Sequence, residues 1–173
     1  MSSKPSFCLA AILAIILLVS AGCKKSPTTS DLPVQQQAIS LAVSPTSAGA
    51  DTIVTVSIII QGNAKEIRVF GMDAAFDAKM FEFQGVIKGD VTESWANVDG
   101  NELNPGQLRI GGYVGSGSPV PAKGAGKLAE FKFKVTGHDY ANGQQSQVSI
   151  KQYTDDIEGF TPEPASVTFT LKK

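Results

Sequence analysis

An all-β fold, an antiparallel sandwich, is what this sequence predicts, and three observations carry the prediction. Short stretches in which apolar and polar residues alternate recur between clusters of Gly, Pro, Asn and Asp. No window after the first 22 residues has the periodicity of an amphipathic helix. Strands do not alternate with helical segments, as a parallel sheet would require. Eight or nine strands can be placed, with a turn signal between each and the next, the pattern of a sandwich.

The centre of the chain is residues 66–83. From Phe70 onward, Phe70, Met72, Ala74 and Phe76 fall on one side of an extended segment and Gly71, Asp73 and Ala75 on the other, the period of two of a half-buried strand. Asp77-Ala78-Lys79 turns the chain. Phe81 and Phe83 then point inward with Glu82 and Gln84 outward, so the unit sends five large apolar side chains into one core.

Before this domain comes a different kind of sequence. Residues 1–6 carry one Lys, and residues 7–19 are apolar throughout. That run is shorter than the roughly 20 residues of a spanning helix and ends in the small residues Ser20-Ala21-Gly22 before Cys23, where a signal peptidase would cut. Residues 1–22 therefore read as an export signal, the alternative being a short anchor helix left uncut. Leu18-Val19-Ser20-Ala21-Gly22-Cys23 resembles the lipobox of bacterial lipoproteins, with Ser20 where Leu is usual. The resemblance implies that Cys23 becomes the new N-terminus and carries lipid on its sulfur and its amine. Two or more acyl chains hold a protein stably on a membrane, at about 0.8 kcal/mol per buried CH₂. Lys24 and Lys25 follow the Cys and no Asp does, which by the same resemblance implies the outer membrane or cell surface. Cys8 falls in the segment to be removed, so the mature chain has no thiol for a disulfide, a metal cage or a nucleophile. Its core alone must stabilise it, and the 151 residues that remain suffice for one domain. Residues 23–37 are mostly Ser, Thr, Pro and Gln, with Leu32 and Val34 the only sizeable apolar side chains, and read as a flexible tether.

The domain spans residues 38–173. Ile39, Leu41 and Val43 alternate with Ser40, Ala42 and Ser44; a turn over residues 45–50 leads to Val54, Val56, Ile58 and Ile60, which alternate with Thr55, Ser57 and Ile59. Gln61-Gly62-Asn63 closes that strand and the central unit follows. Ile87 keeps the inward phase of Phe81 and Phe83 until Lys88-Gly89-Asp90 breaks the strand. Trp95, Ala96 and Val98 suggest a short strand ended by Asp99-Gly100-Asn101, a hairpin turn signal. Leu108 and Ile110 alternate with Arg109 and Gly111 in the next, which gives way soon after Tyr113 to a loop of Gly, Ser and Pro. Leu128, Phe131, Phe133 and Val135 then face inward with Glu130, Lys132 and Lys134 outward, the offset at Ala129 calling for a bulge. Val148 and Ile150, a polar loop over 155–164, and Val167, Phe169 and Leu171 complete the chain.

Several local patterns suggest chemistry and lack what that chemistry needs. Gly124-Ala125-Gly126-Lys127 has Pro121 where a phosphate loop needs Gly and Leu128 where it needs Ser or Thr, with a strand following instead of a helix. Gly115-Ser116-Gly117-Ser118-Pro119 lacks a third Gly and reads as a flexible loop. Asp155, Asp156 and Glu158 are acidic, but Ile157 stands where a calcium loop would place a ligand. His138 is the only histidine, which leaves no typical zinc site and no Cys-His pair. Counting leaves a Ser-His-Asp triad open, yet no stretch has the form of a nucleophile elbow. The mature chain has 14 basic and 16 acidic residues, interspersed, so no basic stripe suggests nucleic acid. No cofactor, no metal and no enzymatic activity are expected.

One resemblance covers nearly all of the chain after Ala38. The order Phe70-Gly71-Met72-Asp73-Ala74-Ala75-Phe76-Asp77, then Met80-Phe81-Glu82-Phe83, Trp95-Ala96-Asn97-Val98 and Gly106-Gln107-Leu108-Arg109-Ile110, then the strand over 126–135, resembles a cohesin domain. The resemblance implies a nine-stranded jelly-roll sandwich that binds dockerin modules, which fold around calcium and belong to assemblies of polysaccharide-degrading enzymes. It implies a flat partner-binding face on the strands at residues 70–76, 95–98, 107–113 and 127–135. The outward residues there are Asp73, Asn97, Arg109, Tyr113, Glu130 and Lys132, a polar mix with one amphipathic aromatic. A second reading is direct carbohydrate binding, since the fold resembles some carbohydrate-binding modules; its aromatic candidates are Trp95, Tyr113 and Tyr153. The expectation is a lipid-anchored binding module of the cell envelope.

Overall fold

The computed structural model describes residues 37–162 and 165–173. The export signal over 1–22, Cys23 and the tether up to residue 36 lie outside the described residues. The chain forms β1 (Ala38–Ser44), β2 (Ser47–Ala48), β3 (Ile53–Gln61), β4 (Val69–Ala75), β5 (Phe81–Lys88), β6 (Asn97–Asn104), β7 (Gln107–Tyr113), β8 (Ala125–Val135), β9 (Gln145–Asp155) and β10 (Ala165–Leu171). One sheet has the order β1-β3-β8-β5 and the other β2-β10-β9-β4-β7-β6. Their inner faces close on each other as the predicted β-sandwich.

The alternation read from the sequence is what buries the core. Val54, Val56, Ile58 and Ile60 from β3, Phe70, Met72 and Ala74 from β4, and Leu108 and Ile110 from β7 are all buried. Phe133 of β8 is 0% exposed and sits in a nest of rings. Its centroid lies 5.0 Å from Phe76, 5.5 Å from Phe81, 5.9 Å from Phe83 and 6.3 Å from Phe131, all tilted or edge-on as aromatic quadrupoles prefer. The offset expected at Ala129 is there: the register of β3 on β8 passes from Ile58 opposite Ala129 to Ile59 opposite Lys127. Leu128 is the extra residue, and both Leu128 and Ala129 are buried.

Four details differ from the sequence reading. Within residues 45–50 the chain forms β2, which pairs in parallel with β10, Ser47 opposite Thr170 and Ala48 opposite Leu171. A pairing of two residues has no periodicity to read, and its partner lies at the far end of the sequence. In β5 the register on β8 steps between Phe83 and Gly85, with Gly85 at φ +131°. A bulge reverses the phase of everything after it, so Val86 packs against the core and Ile87 is 40% exposed. We expect Val86→Ala to destabilise the domain by about 1 kcal/mol and Ile87→Ser by less than about 0.5 kcal/mol, measured by urea unfolding; the opposite order would refute the bulge.

The third difference is the turn after Trp95. Asp99-Gly100-Asn101 does not turn; β6 runs through it and ends at Pro105-Gly106, where Gly106 at φ +82° fits the position of a Pro-Gly turn that needs a positive φ. Gly100 serves packing instead, since a β-carbon there would stand 2.6 Å from Val86 Cγ2. Trp95 precedes the strand, after a 3₁₀ turn at Asp90–Thr92. It is 1% exposed, stacks 5.7 Å from Phe70 and donates its indole N–H to Ser118 O at 3.0 Å. Fourth, the loop over 155–164 is polar in composition but anchored by buried Ile157 and Phe160. Asp156 Oδ2 there accepts the backbone N–H groups of Arg68 at 2.8 Å and Val69 at 3.1 Å.

Candidate functional site

The outer face of β9-β4-β7-β6 is built by strand register, because side chains at opposed positions share a row. Asn97, Tyr113 and Val69 form one row. Asp99, Gly111, Gly71 and Thr154 form the next, and Asn101, Arg109, Asp73 and Gln152 the third. Tyr113 is 53% exposed, and among the described residues Val69 and Leu103 are the other large apolar side chains open to solvent on this side.

At its centre Arg109 grips Asp73 with two parallel hydrogen bonds, Nε to Oδ1 at 2.8 Å and Nη2 to Oδ2 at 2.9 Å. The fork geometry holds both side chains in one plane. The hydrogen bond from Arg109 holds the Asp73 carboxyl below the usual carboxylate range, and that same bond raises the guanidinium. A depressed folded pKa stabilises the fold above the ordinary carboxylate value, and that stabilisation is lost as pH falls through the depressed value. We therefore expect the stability difference between wild type and Asp73→Asn to be constant from about pH 7 to about pH 5 and to vanish toward about pH 2, followed by chemical unfolding. A difference that grows on acidification would refute the pairing.

Beside this pair the face is bare. Gly71 and Gly111 stand opposite each other, and their missing side chains leave a trough of about 450 Å³ between the ion pair and Thr154 with Asp155. A β-carbon at Gly71 would stand 2.3 Å from Thr154 Oγ1. The Thr154 hydroxyl thus leans into the space that a side chain at Gly71 would take and forms one wall of the trough.

Of the six residues expected on one face, Asp73, Asn97, Arg109 and Tyr113 share it and Glu130 and Lys132 do not. β8 belongs to the four-stranded sheet, between β3 and β5, so its outward side chains point from the opposite side of the sandwich. There Glu130 accepts from Lys127 Nζ at 2.8 Å and Ser57 Oγ at 2.9 Å, and chiefly the lysine holds its carboxyl below the usual range. The fourth strand of the face is β9, which brings Gln152 and Thr154. Sequence reasoning misses them because only Val148 and Ile150 mark that strand as one, and alternation does not say which sheet a strand joins.

The carbohydrate reading loses two of its three aromatics. Trp95, in the segment before β6, and Tyr153, on the inner side of β9, are buried, Tyr153 donating its hydroxyl to Pro162 O at 2.8 Å. Lys127 donates its backbone N–H to Asp90 Oδ1 at 2.6 Å, placing a carboxylate where a phosphate loop would hold an anion. His138 is exposed in a turn. Among the described residues no group of His, Cys, Asp and Glu is placed to hold a metal ion.

No curated protein matches the chain. Among solved structures, it is similar to a cohesin module from a Clostridium perfringens family 33 glycoside hydrolase, with TM-score 0.62 and 13% identity over 80% of this chain and 98% of that one. It is similar to the sixth cohesin of Acetivibrio cellulolyticus scaffoldin B, solved with a mutant Cel5 dockerin, with TM-score 0.58 and 20% identity over 78% of this chain and 98% of that one. A type I cohesin–dockerin complex from Clostridium thermocellum gives TM-score 0.60 and 14% identity over 78% and 99%. These likenesses establish the fold. The family model for the cohesin domain matches residues 39–161, most of the chain and nearly all of the sandwich, and the chain therefore belongs to the cohesin domain family.

Proposed function

We propose that the protein is a lipid-anchored module of the cell envelope that recruits a dockerin-bearing protein through the β9-β4-β7-β6 face, in the service of polysaccharide degradation. A cohesin domain is a protein-interaction module, and two of the similar structures are complexes with dockerins. The observation that carries the choice of face is the Asp73/Arg109 pair set in a rigid sheet between a glycine trough and exposed Tyr113. It offers donors, acceptors and an amphipathic ring without loop entropy to lose, the composition of a specific polar interface.

The test is selection from a displayed library of dockerin modules against the full chain, with calcium and then with chelator. The reading expects a dockerin captured in calcium and released by the chelator. Failure of every dockerin to bind would overturn it.

The anchor is tested separately. The apolar run and the small residues Ser20-Ala21-Gly22 before Cys23 support lipidation at that cysteine. We expect Cys23→Ser to abolish incorporation of a labelled fatty acid and to move the protein out of the membrane fraction. Undiminished labelling would refute the lipidation site.

A further inference from the structure

Two strands bulge toward the same spot on the docking face. In β9 the register on β4 steps from Asp73 opposite Gln152 to Ala74 opposite Ile150, which leaves Lys151 without an opposed residue. In β6 the register on β7 steps from Glu102 opposite Leu108 to Asn104 opposite Gln107, which leaves Leu103 in the same position. A bulge turns its extra side chain away from the regular alternation. Both of these are exposed on the outer surface. Between them lie β4 and β7, where the outward pair is Ala75 opposite Gln107. The result is a notch of about 280 Å³ bounded by Leu103, Lys151, Gln107 and Asp73, with Ala75 among its lining.

We propose that this notch is an anchor subsite for one aliphatic side chain of the partner, leucine, isoleucine or methionine, with an aspartate or glutamate beside it to meet Lys151. The inference rests on the reading of this face as the docking surface. Leu103 is 51% exposed, and a small floor residue beneath it leaves room that only an incoming apolar group would keep dry. The Lys151 side chain makes no ion pair and no hydrogen bond among the described residues. Asp73, the carboxylate that borders the notch, is already taken by Arg109. A partner that covers the notch removes water from the Lys151 ammonium, and the carboxylate that compensates it has to come from the partner.

A displayed library of random linear peptides, panned on the full chain and on its variants, tests this without assuming any dockerin. The expected result is enrichment of peptides that carry a large aliphatic residue next to an acidic one. Their affinity should fall by about tenfold or more on Leu103→Asp and on Lys151→Glu. Both substitutions are at exposed positions, and an unchanged melting curve confirms that each variant folds. Peptides lost on Arg109→Glu but indifferent to Leu103→Asp and Lys151→Glu would overturn the notch and leave the docking face standing. Peptides indifferent to all three would overturn the notch and the face together, and no enrichment would overturn the notch as an anchor.

Discussion

We expect Phe133→Ala to lower the unfolding free energy by about 3–5 kcal/mol, the range for deleting a buried Phe ring. Phe133 is where the two sheets meet through four other rings, from β5, from β8 itself and from the segment just after β4. Removing it leaves Phe76, Phe81, Phe83 and Phe131 facing a void that no single one of them can fill without leaving its rotamer. The loss therefore stands toward the upper end of the range, and the melting temperature falls by on the order of 10 °C. Thermal and urea unfolding measure it. Tyr113→Ala, at the exposed end of the β9-β4-β7-β6 face, is the contrast and is expected to shift stability by less than about 0.5 kcal/mol. Equal losses at the two positions would mean that the nest is not the centre of the core.

We expect Arg109→Glu to weaken binding of a dockerin selected on the wild-type protein by about thirtyfold or more, the effect of reversing a hydrogen-bonded charge at the middle of the proposed interface. Two effects act together. The guanidinium is lost to the partner, and the new carboxylate stands directly opposite Asp73, which then confronts the partner as a second uncompensated acid. The fold survives because both side chains lie on the outside of the sheet, so the melting temperature stays within about 4 °C of wild type. Lys132→Glu reverses a charge on the opposite side of the sandwich and leaves binding unchanged. Calorimetric titration of both variants distinguishes the faces, and a loss at Lys132 without one at Arg109 would place docking on the four-stranded sheet.

The period of two makes most of the fold legible in the residues themselves. Val54 to Ile60, Phe70 to Phe76, Leu108 with Ile110, and Phe131 to Val135 all bury the side that alternation predicts, since one buried face imposes that pattern on each strand. What alternation does not carry is the residue count of bulges and the assignment of strands to sheets. Gly85 shifts the phase and exchanges Ile87 for Val86, while Leu103 and Lys151 leave no mark in the sequence that separates them from their regular neighbours. Asp99-Gly100-Asn101 has the composition of a turn, but Pro105-Gly106 is the place where the backbone takes a positive φ. Part of the candidate site is legible as an outward surface, at Asp73 and Arg109, because those residues are polar positions between buried ones. Glu130 and Lys132 satisfy the same rule and face the other way, because alternation tells inside from outside and not one outside from the other.

The start of β1 is held by a residue far along the chain. Gln37 O accepts both the backbone N–H of Thr161 at 3.0 Å and its hydroxyl at 3.1 Å, and Ile39 N–H returns to Thr161 O at 2.9 Å. From there β1 runs alongside β3 through Ala38 to Ser44. A pull on residue 37 along that strand strains the ladder in shear, every rung sharing the force, whereas a pull across it would peel the rungs one after another.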